Sequence, residues 1–167
     1  MAYTTPRTWI TGETVTAAMM NAQVSANVAH VYELARTRTI VIEAINFEEP
    51  VYKADGVHKW VVPAALNGGV LTGCEIGIAT AGTAGAVIMQ LARTRSGVTA
   101  DVLSTRPVID ATEYTSYTGT GGVVNPTYKT LATGDILRFD VDDHGGGTAS
   151  ANGGQQGLFA ILTVVVA

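Results

Sequence analysis

The spacing of apolar residues changes once along this chain, near Thr37. Between Thr16 and Arg36 they recur every three or four positions, which predicts one helix. Thr16 is placed to cap the free N–H groups of the Ala17-Ala18-Met19-Met20 turn, with Gly12 outside the helix. The run then continues without Gly or Pro for about five turns. From Thr39 onward the period falls to two. Val87, Met89 and Leu91 share one face, as do Leu137, Phe139 and Val141, while Arg138 and Asp140 point away. This alternation predicts strands at Thr39 to Ala44, His58 to Val62, Val70 to Ala79, Ala86 to Arg93, Val102 to Ile109, Tyr128 to Leu131, Ile136 to Asp142 and Gly157 to Val166. The last of these is apolar on both sides. It reads as a central strand covered twice, with a neighbouring subunit as one candidate for the second cover.

The helix accepts a heptad with Ala17, Val24 and Val31 at a, and Met20, Asn27 and Leu34 at d. Asn27 then falls in the seam, where a polar residue lowers stability but fixes register and oligomer state. Met20, Val24, Asn27, Val31 and Leu34 are therefore the candidate self-association residues. So few heptads also fit a helix whose apolar face is covered by the β domain or by another protein.

Turn signals at Asn67-Gly68-Gly69, Ala81-Gly82-Thr83, Ser96-Gly97, Thr118 to Gly122 and Gly145-Gly146-Gly147 punctuate the strands. Short strands so punctuated predict a mainly β protein, with a jelly-roll-like antiparallel β-sandwich as the favoured architecture. Composition agrees: 47% of residues are hydrophobic, enough for a real core, and only 14% are charged. The expected organisation is an extended segment over residues 1–15, a helix over 16–37 and a sandwich over 38–167.

A formal net charge of −4 argues against a nucleic-acid surface, which needs clustered Lys and Arg. The single cysteine, Cys74, lies in an apolar run and reads as a small core residue. No run is long enough to cross a membrane and no export signal opens the chain, so the expectation is synthesis in a cytoplasm.

Candidate chemistry is sparse. His30, His58 and His144 are isolated from one another, which disfavours a zinc site. Asp140-x-Asp142-Asp143-His144 offers oxygens to calcium but reads more simply as a strand entering a glycine loop. Glu48 with Glu49, or Asp110 with Glu113, form acid pairs by sequence, yet carboxyl separation decides glycosidase chemistry. There is no G-x-S-x-G elbow and no phosphate-binding loop. No catalytic residue, metal ligand or cofactor is therefore assigned. Tyr114 and Tyr117, among small hydroxyl residues from Thr112 to Gly119, suit a recognition loop touching a host glycan or protein, or an ordinary strand edge and turn.

The segment Thr5-Pro6-Arg7-Thr8-Trp9-Ile10-Thr11-Gly12-Glu13-Thr14-Val15-Thr16-Ala17-Ala18-Met19-Met20-Asn21 resembles the opening of many tailed-phage minor virion structural proteins. Those openings pair T-P-x-T-W with G-[ED]-x-x-T-A-A-x-[ML]-N and a helix. The resemblance covers about the first fifth of the chain. Trp60-Val61-Val62-Pro63, Asp101-Val102-Leu103-Ser104 and Thr133-Gly134-Asp135-Ile136-Leu137 resemble, more loosely, the β-sandwich that follows. It implies a non-enzymatic component of the virion, a head, neck or tail fibre or a capsid decoration protein, whose partners are other virion proteins, and it tilts the helix toward a homotrimeric coiled coil. In physical terms Pro6 enforces an extended approach, and Trp9 and Ile10 offer apolar area to a pocket on another chain. Trp9 folded back onto its own helix is the alternative. Two rival functions remain open in the sequence, a receptor- or glycan-binding adhesin and a polysaccharide depolymerase.

Overall fold

The computed structural model describes residues 5, 8, 10–144 and 154–166, without the side chain of Ala22. The chain divides into two units, Met1–Thr37 and Arg38–Ala167.

In the first unit Thr16 caps the helix, its Oγ1 accepting from the Met19 N–H at 3.2 Å. The helix runs as α1 (Ala17–Met20), a π turn (Asn21–Ser25) and α2 (Ala26–Arg36), with right-handed helical φ and ψ through each junction. An uninterrupted 3.6-residue repeat was expected here. Instead the Ala26 N–H bonds to the Asn21 carbonyl five residues back, so one extra residue enters the turn. The chain passes from helical geometry at Arg36 to extended geometry at Thr37 with no linker between.

The second unit is mainly β. One sheet has the order β1 (Thr37–Pro50), β10 (Gln156–Val165), β3 (Val70–Gly77). The other has the order β2 (Ala54–Val61), β9 (Ile136–His144), β4 (Val87–Arg95), β5 (Val98–Asp101), with β7 (Val108–Ile109) also on β4. A short pair joins β6 (Leu103–Thr105) and β8 (Val123–Val124). Registers are antiparallel, with Leu162 opposite Cys74, Trp60 opposite Leu137 and Leu91 opposite Phe139.

Alternation determines which side chains meet. Val87, Met89, Leu91, Leu137, Phe139 and Val141 are buried, and join Leu71, Cys74, Ile76, Leu158, Ala160, Leu162 and Val164 from the other sheet in one cluster. β10 is central to its sheet. Its second face, with Phe159, Ile161 and Val165, is half-buried.

Several strand expectations are corrected. Tyr128 to Leu131 forms no full strand but a single antiparallel bridge, Thr130 opposite Val70, flanked by the Leu71 N–H on the Lys129 carbonyl and the Leu131 N–H on the Gly69 carbonyl, both at 2.8 Å. Tyr128 itself closes the Asn125-Pro126-Thr127-Tyr128 turn, its N–H on the Asn125 carbonyl at 3.1 Å. Val102 to Ile109 divides into β6 and β7, which pair with different strands. β1 continues past Ala44 through Glu48, Glu49 and Pro50, residues suited to the exposed edge it forms. The unassigned β5 returns from the Ser96-Gly97 turn, where both residues have positive φ and Arg95 pairs with Val98.

Candidate functional site

Among the described residues of the first unit, most of the large apolar side chains lie on the helix. Met20, Val24, Val28, Val31, Tyr32 and Leu34 are all exposed, and neither α-helical segment has a buried residue. Gln23, Val24, Asn27, Val28 and Val31 line one shallow groove along the helix. Three of the five residues expected to mediate self-association thus share a surface, whereas Met20 and Leu34 lie outside that lining.

The π turn helps explain this grouping. An inserted residue changes the angular relation between the positions before and after it, so a heptad drawn straight through the turn is out of phase at one end. Val28, which the heptad left outside its a and d positions, enters the groove. Asn27 also differs from expectation in its bonding. Its Nδ2 donates to the Gln23 carbonyl at 3.1 Å, so the amide has an acceptor in its own helix as well as the capacity to pair across a seam. The helix ends with Arg36 over the Tyr32 ring at 5.2 Å and beside Glu33 at 3.6 Å, an exposed arrangement of small energetic weight.

Upstream, Pro6 and Trp9 lie outside the described residues. Ile10 is exposed, its carbonyl accepting from the Glu13 N–H at 3.0 Å and its N–H donating to Glu13 Oε2 at 3.3 Å across a turn in which Gly12 has positive φ.

The tyrosine loop is held from beneath. Ser116 is buried, its N–H bonds to the Ile76 carbonyl, and its hydroxyl receives the Ile76 N–H and donates to Glu75. Gly121 and Gly122 pack so closely on Glu75 and the Cys74 carbonyl that a Cβ at either position would collide. These contacts leave Tyr114 and Tyr117 exposed on either side of Ser116. Thr112, with φ of 69°, is a β-branched residue in the left-handed region and marks local backbone strain.

The acids are committed to structural partners or stand apart. Asp135 is buried, and Arg95 Nε and Nη2 reach its two oxygens at 2.7 and 2.6 Å. Burial alone pushes this carboxyl up, but the Arg95 hydrogen bonds, the Ala132 N–H and the charges of Arg95 and Arg93 together hold it below the usual range. Asp140 was expected to face solvent and is instead buried, clasped by Arg138 Nη2 at 2.7 Å and by the Gly56 N–H at 2.6 Å. Asp142 is raised, first by burial and then by Asp140 and Asp55, against the opposing charges of Arg106 and Lys53. Asp110 and Glu113 share a turn beside Gly119. Among the described residues no group of three or more His, Cys, Asp or Glu is placed to hold a metal ion. Cys74 is fully buried, and its thiol is pushed up to about 12 by burial and by Glu75.

No family model, no curated protein and no solved structure matches the chain.

Proposed function

We propose that this chain is a non-enzymatic structural protein of a tailed-phage virion, a fibre or decoration protein that docks by its N-terminus and self-associates through its helix as a homotrimer. The observation that carries the proposal is the helix itself: six large apolar side chains are exposed along Ala17–Arg36, and three of the valines line one groove. A helix of this length gains most of its stability from whatever covers its apolar face. Copies of the same helix supply that cover with matching chemistry, each apolar Å² removed from water contributing about 25 cal/mol. The T-P-x-T-W and T-A-A-M-M-N sequence supports the virion assignment, and the commitment of buried Asp135 and Asp140 to arginine partners favours a structural role over a catalytic one.

The β unit is a jelly roll in this reading. Strands β1 to β4 alternate between the two sheets, while β9 inserts between β2 and β4 and β10 between β1 and β3. Two interleaved Greek keys generate that order.

Light scattering over a range of concentrations tests the proposal, on the full chain and on a variant lacking residues 1–37. The second unit keeps its entire core after that truncation, because every core residue lies between Ile42 and Val164. The expected result is a full chain at three times the monomer mass and a monomeric truncation. A full chain that stays monomeric at every concentration refutes self-association.

A second reading, a receptor- or glycan-binding adhesin, draws on one observation: Tyr114 and Tyr117 are exposed on a loop anchored by buried Ser116. Glycan-array binding that disappears in a Tyr114→Ala, Tyr117→Ala variant would favour it.

A further inference from the structure

Five polar side chains of the second unit are buried among the described residues: Gln90, Ser116, Asp135, Asp140 and Gln155. Four of them have partners. Ser116, Asp135 and Asp140 are bonded as described above, and the Gln90 amide donates from Nε2 to the Leu103 carbonyl at 3.3 Å and accepts at Oε1 from the Leu91 N–H at 2.9 Å. Gln155 differs. It is 1% exposed, and neither its Nε2 nor its Oε1 has a hydrogen-bond partner among the described residues. We infer that the Gln155 amide forms one wall of an internal binding site for ordered water, at least one molecule of which donates to Oε1 or accepts from Nε2.

The fold holds this amide inside. Leu158, Ala160, Leu162 and Val164 of β10 turn to the core, and plain alternation would send Gln156 after them. Gly157, with φ of 64°, interrupts the alternation, so that Gln155 is buried and Gln156 half-buried. The backbone around Gln155 is pinned on both sides. Its carbonyl accepts from the N–H of the fully buried Val51 at 3.1 Å, while Gln156 and Thr80 exchange N–H to carbonyl bonds at 3.2 and 3.1 Å. The side chain lies directly on Gly82, where a Cβ would stand 2.5 Å from Gln155 Cγ and 2.9 Å from Nε2. Gly82 is fixed in turn, its carbonyl accepting from the Thr112 N–H at 2.8 Å. A small backbone shift therefore does not carry the amide to the surface.

The chemistry of the amide selects the occupant. A buried amide left unpaired bears the whole cost of leaving water, and nearly all such groups in folded proteins bond either to protein or to ordered water. Glutamine offers two donors on Nε2 and two lone pairs on Oε1. A cation satisfies only Oε1, an anion only Nε2, and an apolar guest neither. Water donates and accepts at once, and it is the usual partner of buried polar groups that no side chain reaches. The site belongs to the fold of the second unit and is independent of self-association.

A high-resolution crystal structure of the full chain tests this, beside one of the Gln155→Leu variant. The expected result is a water oxygen within about 3.2 Å of Gln155 Nε2 or Oε1 in the wild type, shielded from bulk solvent, and its loss in the variant. The wild-type map decides by itself if the variant does not fold. An amide bonded directly to protein groups at both atoms, one turned out to bulk solvent, or one that is buried with no water beside it would overturn the site.

Discussion

Replacing Asp135 by Asn tests the Arg95–Asp135 charge clip within the second unit. The Asp135 side chain is 2% exposed and accepts three hydrogen bonds, from Arg95 Nε and Nη2 and from the Ala132 N–H at 2.8 Å. Its backbone extends the clip, because its carbonyl receives the Val62 N–H at 2.8 Å and Arg95 also bonds to the Thr130 carbonyl at 2.9 Å. One residue thereby ties the end of β4 to the segment entering β9 and to the chain leaving β2. Asn keeps the volume but turns one acceptor into a donor, which must then face either Arg95 or the Ala132 N–H. Breaking a fully buried pair costs roughly 3–5 kcal/mol. The Arg95 side chain is 41% exposed and regains water, which lowers the expectation to about 2 kcal/mol. In urea, with a slope of roughly 1–3 kcal/mol per M, the midpoint should fall by about 1 M. The sign of the pH dependence follows from the depressed carboxyl. Its stabilisation is fully present above the ordinary pKa of 3.8 and is lost as pH falls through the lower folded value. The gap between wild type and Asp135→Asn should therefore be constant near neutrality and shrink in acid below that range. A neutral-pH difference under about 0.5 kcal/mol, the level of an ordinary surface substitution, would refute the reasoning.

Asp142 should behave with the opposite sign. Its folded pKa is raised, so its charge opposes folding at neutral pH and that penalty is relieved as pH falls through the raised value. Asp142→Asn should match or exceed wild-type stability at pH 7 and lose any advantage in acid, as chemical denaturation at the two pH values would reveal. Gly122→Ala should destabilise the protein by about 1–3 kcal/mol in thermal or urea unfolding, because the new Cβ meets the backbone carbonyl of Cys74, which cannot swing aside. Cys74 should react with a thiol reagent at pH 8 only through opening of the fold, since its thiol is buried and pushed up to about 12. Labelling followed by mass spectrometry should accelerate with urea, and rapid labelling without denaturant would contradict the buried placement. Tyr114→Ala with Tyr117→Ala should change the unfolding midpoint little, because both rings are exposed while Ser116 anchors their loop.

The sequence is most legible where side-chain alternation and burial express the same fact. Val87, Met89 and Leu91, like Leu137, Phe139 and Val141, could be assigned to one face because a strand presents alternate residues to the core. Legibility failed where a polar partner replaced water. Asp140 has the sequence spacing of a solvent-facing residue, but Arg138 two positions away and the Gly56 N–H satisfy it inside the fold. It is partial at Tyr128 to Leu131, because the Asn125-Pro126 turn takes up Tyr128 and leaves room for only one bridge, Thr130 opposite Val70. The π turn leaves no mark in hydrophobic periodicity, because it is a shift in backbone hydrogen bonding that relocates side chains already apolar.

The same distinction bears on the candidate surfaces. Hydrophobicity along a sequence measures the demand for cover without naming its source. In β10 that demand is met on one side by the core, where Leu158, Ala160, Leu162 and Val164 are fully buried, and only partly on the other by neighbours such as Phe47, whose ring centroid lies 6.2 Å from that of Phe159. In the helix it is not met within the described contacts of a single chain, since Val28, Val31 and Leu34 are each at least 60% exposed. A fully covered face is accounted for by the folding of one chain, whereas the open apolar face of the helix is what the proposed self-association would cover. The light-scattering comparison of the full chain with the variant lacking residues 1–37 is therefore also a test of whether Val28, Val31 and Leu34 find their cover in another copy.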